Sequence, residues 1–376
     1  MVRSVFDIWI DFEKSQGSYV FDKKTNEPFL DMFSMFSSLP LGYNHEIFSN
    51  EFDEKIKYIS HLKMCNNLFH SDELEEFEKS MLSIGINKNI HFSCTGALAV
   101  ESAIKCGYEY KKSPNQIVVG TSNSFHGINS WGFITDKDLP SVKDRVLNFP
   151  RNDWAIIPIE ELYEYLKRNS DDVSSCIIEP IQCTAGDIYL DSEQLTRIEG
   201  LCKEKGICFI VDEVQTGFGV TGDYWYSNKI NLNPDILIFG KKSQVSGIMV
   251  NEKYSEAINS PYRKLEVTFD GDLIDACRGH YIIKAIEKYS LLKKIKLNSD
   301  ILRKELSEIF LNYRSVGHLI AFDFDSKELR DDFVSKAYDK KLLVNPTSEK
   351  TIRFRPNLAF SEDELDDLLF RIKKII

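Results

Sequence analysis

The sequence predicts an α/β protein, a large domain with a mostly parallel sheet plus a small α/β C-terminal domain. Size is the first reason: 376 residues, 43% of them hydrophobic, can bury a large core and favour two lobes over one. The second is a pair of apolar runs, Cys208–Val211 and Asp235–Phe239, which read as buried parallel strands. The first ends in Asp212-Glu213; the second follows the turn pair Asn233-Pro234 and leads to Lys241. The third is the alternation of strand and helix patterns that closes the chain after Phe310.

In chain order, Gly17–Met35 alternates aromatic and polar residues about the turn Lys24-Thr25-Asn26 and predicts a hairpin. Asn89–Ser93 predicts a short strand, and Thr95-Gly96-Ala97 then opens a helix over Leu98–Tyr110. A small-residue turn at a helix start leaves backbone N–H groups free at the positive end of the dipole, so Gly96 and Ala97 form a candidate phosphate cup. Gln116–Gly120 predicts another buried strand, followed by Ser124-Phe125-His126-Gly127. Ser175–Ile178 predicts the strand that leads to Glu179-Pro180-Ile181-Gln182. From Leu273 to Phe310 apolar residues recur three and four apart, a helical pattern. Strands within His318–Phe324 and Leu342–Pro346 then alternate with helices over Lys327–Lys340 and Glu362–Ile376.

Open α/β sheets collect ligands at the carboxyl ends of their strands, so Asp212 and Lys241 point toward one site. A lysine amine can hold a carbonyl cofactor as a Schiff base. Pyridoxal 5'-phosphate, the carbonyl cofactor that works this way, also needs an acid that keeps its pyridine nitrogen protonated. Asp212 and Lys241 suit those two roles; taken singly, Asp212 also reads as a helix cap and Lys241 as a solvated loop amine.

A net charge of −11 argues against nucleic acid or an anionic membrane surface as a partner, because both reward clustered Lys and Arg. The eight cysteines include no C-x-x-C pair, and Cys176, Cys208 and Cys277 lie in apolar runs, which favours a reducing cytoplasm. The start, MVRSVFDIWIDFEK, is too charged for a signal or a membrane span. Seven scattered histidines give no metal-ligand spacing.

The motifs DEVQTGFG at Asp212–Gly219, PDILIFGKKSQVSG at Pro234–Gly247 and TIRFRP at Thr351–Pro356 resemble those of class III, fold type I pyridoxal-phosphate aminotransferases. Within that class they are most similar to L-lysine 6-aminotransferases, over nearly the whole chain. The resemblance implies a homodimer with shared active sites that moves an amino group from an amine donor to a 2-oxo acid such as 2-oxoglutarate. It divides the chain into an N-terminal hairpin segment of the small domain (1–45), a cofactor-binding large domain (46–290) and a C-terminal small domain (291–376). It gives Lys241 the cofactor imine and the proton transfers, and it selects Lys241 over the adjacent Lys242. Asp212 is implied to hold the ring nitrogen, Gln215 the phenolic oxygen, and Gly96 and Ala97 the phosphate. Phe125 is implied to stack on the ring, with Glu179 close to the cofactor. Thr268, in Leu265–Leu273, is implied to reach the phosphate in the neighbouring subunit. Arg353, rather than Arg355, is implied to take a substrate carboxylate.

The sequence also departs from the family pattern. Ile128 stands where lysine 6-aminotransferases carry an arginine for the α-carboxylate of lysine, and Thr184 stands where they carry a glutamate that gates the carboxylate-binding arginine. Asp270 and Asp272 replace a glycine and an asparagine, which puts the loop near Thr268 in question. An apolar Ile128 offers nothing to a desolvated carboxylate, so a donor other than free lysine is expected. A decarboxylase or epimerase of the same class is the alternative, and a non-catalytic dimeric relative a remoter one.

Overall fold

The structure, a computed structural model, describes residues 6–63, 69–112, 116–129, 153–259 and 265–376. Contacts divide the chain into two units. One comprises Lys55–Gly219 and Asp223–Ile283; the other comprises Met1–Glu54, Val220–Gly222 and Lys284–Ile376.

The first unit is built on a seven-stranded sheet in the order Asn89–Ser93, Ser246–Val250, Ile236–Phe239, Cys208–Asp212, Val173–Ile178, Ile117–Thr121, Trp154–Ile157. Ser246–Val250 runs antiparallel to both neighbours, and every other pairing is parallel. Cys208–Asp212 is buried along its whole length because helices cover both faces, which explains its unbroken apolar run. Its side chains alternate: Ile210 joins the core beneath the helix Gly96–Lys111, with Ala99, Ala103 and Ile104, whereas Phe209 and Val211 pack on the opposite face. That second face is covered by the helices Ile159–Arg168 and Ser192–Lys205, through Leu162, Leu166, Leu195 and Ile198.

The second unit contains the expected hairpin. Tyr19–Asp22 pairs antiparallel with Glu27–Asp31, and the Asp22 carboxylate holds the turn by accepting from the backbone N–H of Lys24 and Thr25 and from the Thr25 hydroxyl. Those bonds outweigh burial and hold its pKa down to about 2. An antiparallel sheet, Leu311–Val316, Leu319–Asp323, Thr351–Phe354 and Asn345–Thr347, packs with the helices Leu291–Leu306, Lys327–Asp339 and Glu362–Lys373 around Phe322, Phe354, Leu302 and Leu368. Ser361 and Glu364 close the last helix with a capping box.

The helical pattern from Leu273 to Phe310 resolves into two helices, Leu273–Lys288 and Leu291–Leu306. The break lies at Ser290, whose left-handed φ of 52° ends one helix and begins the next. Asp270 and Asp272 find local uses. Asp270 accepts the Val267 N–H at 2.8 Å, and Asp272 accepts the Ile274 N–H at 2.9 Å at the start of Leu273–Lys288.

His318 is fully buried within the second unit, with its Nδ1 donating to the Asn357 carbonyl at 2.9 Å and its backbone N–H to the Val220 carbonyl at 2.8 Å. Burial pushes its pKa down to about 4, against about 6.5 for an unperturbed imidazole. Between those values the unfolded chain binds a proton that the folded chain refuses, so stability falls as the pH drops from about 6.5 to about 4, by about 3 kcal/mol from this residue. Thermal unfolding followed across this range should show a flatter decline for His318→Gln than for the unaltered protein; an unchanged slope would remove His318 from the acid response.

Candidate active site

The parallel register fixes where the site forms. Val211 stands opposite Ile178 and Asp212 opposite Ile238, so Asp212, Glu179 and the Gly240-Lys241 turn leave the sheet at the same carboxyl edge. The Asp212 carboxylate is buried and oriented at both oxygens. Oδ1 accepts the Val214 N–H at 3.1 Å and Oδ2 accepts from His126 Nδ1 at 2.8 Å.

Val214, two residues on, is the point of closest assembly. A Cβ at Gly96 would lie 3.3 and 3.4 Å from its two methyl groups, and one at Gly240 would lie 3.5 Å from one of them. The start of the helix Gly96–Lys111 and the turn that carries Lys241 therefore pack on one side chain. At that helix start the Thr95 hydroxyl accepts the Leu98 N–H at 3.2 Å, and the first helical bond runs from Ala99 N–H to the Thr95 carbonyl. The Gly96 and Ala97 N–H groups lie outside the helical ladder, as an anion cup requires.

Gly127 holds the Ser124–Gly127 loop against this cup. Its φ is +95°, and a Cβ there would lie 2.7 Å from the Ala97 Cβ. Glu179 holds the same loop from the sheet side, its Oε1 accepting the Phe125 N–H at 2.6 Å. Gln182 adds a third tie, donating to the Ser122 carbonyl at 2.5 Å and to the Thr121 hydroxyl at 3.1 Å. Burial drives the Glu179 pKa well above the ordinary carboxylate range, and the neighbouring Asp212 adds to the rise. The Phe125 and Cys183 N–H groups and the Lys241 ammonium oppose it.

Lys241 has a left-handed backbone, φ 55°, a conformation that costs a non-glycine residue about 1–2 kcal/mol. Its carbonyl is held by the Gln244 backbone N–H at 3.0 Å and the Gln244 side-chain amide at 3.1 Å. Strain held in place this way is characteristic of positions under functional constraint. Lys242 is buried and donates from Nζ to the Gln215 carbonyl at 2.8 Å. The Gln215 side-chain Oε1 is buried and has no hydrogen-bond partner among the described residues.

The structure thus brings together Gly96, Ala97, Phe125, Glu179, Asp212, Gln215 and Lys241 within the first unit. Ile128 follows Gly127 directly and is 73% exposed. Thr184 is half-buried, two residues past Gln182. Thr268 lies on the surface of the same unit. Arg353 belongs to the second unit, buried on strand Thr351–Phe354 beside Ala321 and Asn345, while Arg355 donates its guanidinium to the carbonyls of Ile320 and Phe354. Sequence reasoning missed His126, Gln182 and Val214. His126 stood in plain view in the Ser124–Gly127 motif, but its pairing across 86 residues to Asp212 carries no local signal. Among the described residues no cluster of three metal-ligating side chains occurs and no helix is long and apolar enough to cross a membrane.

The chain is similar to known proteins over its whole length. The family model described as aminotransferase class-III matches residues 1–376. The L-lysine-epsilon aminotransferase of Mycobacterium tuberculosis is 28% identical, over 100% of this chain and 93% of the relative. A probable mitochondrial 4-aminobutyrate aminotransferase of Caenorhabditis elegans is 27% identical, over 97% and 88%. The solved lysine aminotransferase of M. tuberculosis, in its internal aldimine form, superposes with a TM-score of 0.93 at 27% identity, covering 100% of this chain and 96% of that one.

Gly127→Ala tests the cup directly, because the added methyl group meets both a forbidden φ and Ala97. It should weaken pyridoxal phosphate binding at least about tenfold, read by absorbance titration, while lowering stability by about 1–3 kcal/mol. Unchanged cofactor affinity would separate this loop from the phosphate site.

Proposed function

The chain belongs to the class-III aminotransferases, and from that premise we propose that it moves an amino group from a terminal or ω-amine to a 2-oxo acid such as 2-oxoglutarate. Its cofactor is pyridoxal 5'-phosphate. The residues present fit that group. The helix start at Gly96-Ala97 offers unladdered N–H groups to a phosphate, and the Gln215 amide has a buried oxygen without a partner among the described residues. The orientation of the Asp212 carboxylate is fixed by His126 and the Val214 N–H. When bound, the cofactor supplies an electron sink for the bond cleavages at the amine carbon.

The chain's own residues supply the rest. Lys241 is the amine that holds the cofactor and then, once freed by a donor, carries the proton as general base and acid at its Nζ. Its charge opposes the rise that burial and Asp212 impose on the Glu179 pKa. Asp212 keeps the ring nitrogen protonated, Gln215 orients the ring through its amide, and Phe125 covers it and excludes water. Arg353 takes a substrate carboxylate. The convergence of Asp212, Lys241 and the helix start on Val214 is the observation that carries this reading.

Ile128 and Thr184 bear on the donor. An exposed isoleucine beside Gly127 gives a charged α-carboxylate no counter-ion, so the preferred donor is larger, less charged or carrier-linked. Thr268, on the surface of its unit, supports a homodimer in which each copy reaches its partner's phosphate. The reduced cytoplasm is the compartment that cysteines in apolar runs favour.

Two outcomes are expected. Lys241→Ala should lower turnover at least about a thousandfold while pyridoxal phosphate still binds non-covalently, measured by steady-state assay and dialysis. Normal turnover in that variant would overturn the assignment. In a donor panel, lysine esterified at its carboxylate should exceed free lysine in kcat/KM by about tenfold or more, the scale of a lost charge-assisted contact. Free lysine as the best donor would contradict the reading of Ile128.

A further inference from the structure

Two lysines stand side by side at the strand end, and the family reading uses only Lys241. Lys242 is 2% exposed, in a short turn whose next residue, Ser243, is also buried. A buried ammonium is costly unless it is hydrogen-bonded, and an apolar side chain of similar length would fill the same space without desolvating a charge. The Lys242 ammonium reaches out of its own turn to the Gln215 carbonyl, 27 residues earlier in the chain, at 2.8 Å. This charge-assisted bond joins the loop that carries Lys241 to the loop that carries Asp212 and Gln215.

Other bonds also hold the loop it reaches. Glu213 donates its N–H to the Ile238 carbonyl, and its carboxylate accepts the N–H groups of Tyr226 and Ser227, each at 2.7 Å, and the Thr216 hydroxyl at 3.1 Å. Gly217 donates back to the Glu213 carbonyl at 2.9 Å. Within this turn the Gln215 carbonyl is held from the lysine turn by Lys242, and Gln215 carries a buried amide oxygen that lacks a partner among the described residues.

We infer that Lys242 is a positioning residue that sets the Gln215 amide against the cofactor by holding the Gln215 peptide to the Lys241 turn. The inference rests on the aminotransferase reading and on Lys241 as the cofactor lysine. It assigns Lys242 a role that acts through Gln215 and requires the hydrogen-bond donor; the positive charge is secondary to it.

The test uses the protein loaded with pyridoxal phosphate, in three single variants and one double variant. K242M removes the donor, K242Q keeps a donor while removing the charge, and Q215A removes the side chain acted upon. K242M should bind cofactor yet show kcat reduced about ten- to a hundredfold with little change in donor KM, the scale of a small misplacement at a reacting centre. Its visible absorbance band should titrate with a midpoint moved by at least about half a pH unit, about 0.7 kcal/mol of altered interaction. K242Q should recover most of both. In K242M/Q215A the midpoint should match that of Q215A alone, because residues acting as one unit are not additive. Additive shifts, a K242Q variant as impaired as K242M, or a K242M variant with unchanged midpoint would each overturn the inference. Should K242M fail to fold, K242Q and Q215A still decide it. Borohydride reduction followed by peptide fragmentation separates the two layers. Cofactor trapped on Lys241 supports both, cofactor on Lys242 overturns this inference together with the lysine assignment, and no trapped cofactor overturns the aminotransferase reading beneath it.

Discussion

Two carboxylates at the ends of adjacent buried strands are the constraint around which the site is arranged. Both are buried, and at Glu179 burial penalises the charge while the neighbouring Asp212 makes its ionisation harder still. Such a pair persists only where donors and cations are built around it, and these are what the surrounding loops provide. His126 and the Val214 N–H serve Asp212, the Phe125 N–H serves Glu179, and the Lys241 ammonium acts on Glu179 from the next strand end. The same bonds that satisfy the acids also fix the loop before the phosphate cup and the turn after it. Electrostatic satisfaction and site geometry are one arrangement here.

The sheet makes this possible at low local cost. Parallel register puts the ends of Val173–Ile178, Cys208–Asp212 and Ile236–Phe239 at one edge, so residues separated by tens of positions meet without long loops. Close contacts then set the spacing. Gly96, Gly240 and Val214 pack together, and Gly127 lies on Ala97, so the phosphate cup, the acid and the amine keep fixed separations. The backbone at Lys241 is left-handed, and two bonds from Gln244 hold it there.

Much of this was legible in the residue pattern, for identifiable reasons. Unbroken apolar runs ending in acids marked the central strands, and the small-residue turn at Thr95-Gly96-Ala97 marked the helix start, because both are local signals. The hairpin about Lys24-Thr25-Asn26 was legible through the alternation of aromatic and polar residues on either side of the turn. What escaped were features created by distance in sequence. The His126 bond to Asp212, the Gln182 ties to the Thr121–Ser124 loop and the Lys242 reach to Gln215 each join segments that only the fold brings together. The interruption at Ser290 escaped because apolar periodicity runs through it, and a serine in the left-handed region leaves no compositional mark. The two aspartates near Thr268 read as disruptions and proved to be a turn acceptor and a helix cap, roles set by backbone N–H groups that the sequence does not display.

The central claim is that this arrangement makes an amine-transferring site. The most direct measurement is the visible absorbance of the purified protein with bound pyridoxal phosphate, recorded before and after excess ω-amine donor is added with no oxo acid present. The account predicts that the yellow band of the lysine-linked cofactor gives way to the near-ultraviolet band of its aminated form, and that a 2-oxo acid added afterwards restores the yellow band. A yellow band that persists with every amine tried, in protein that holds its cofactor, would contradict it.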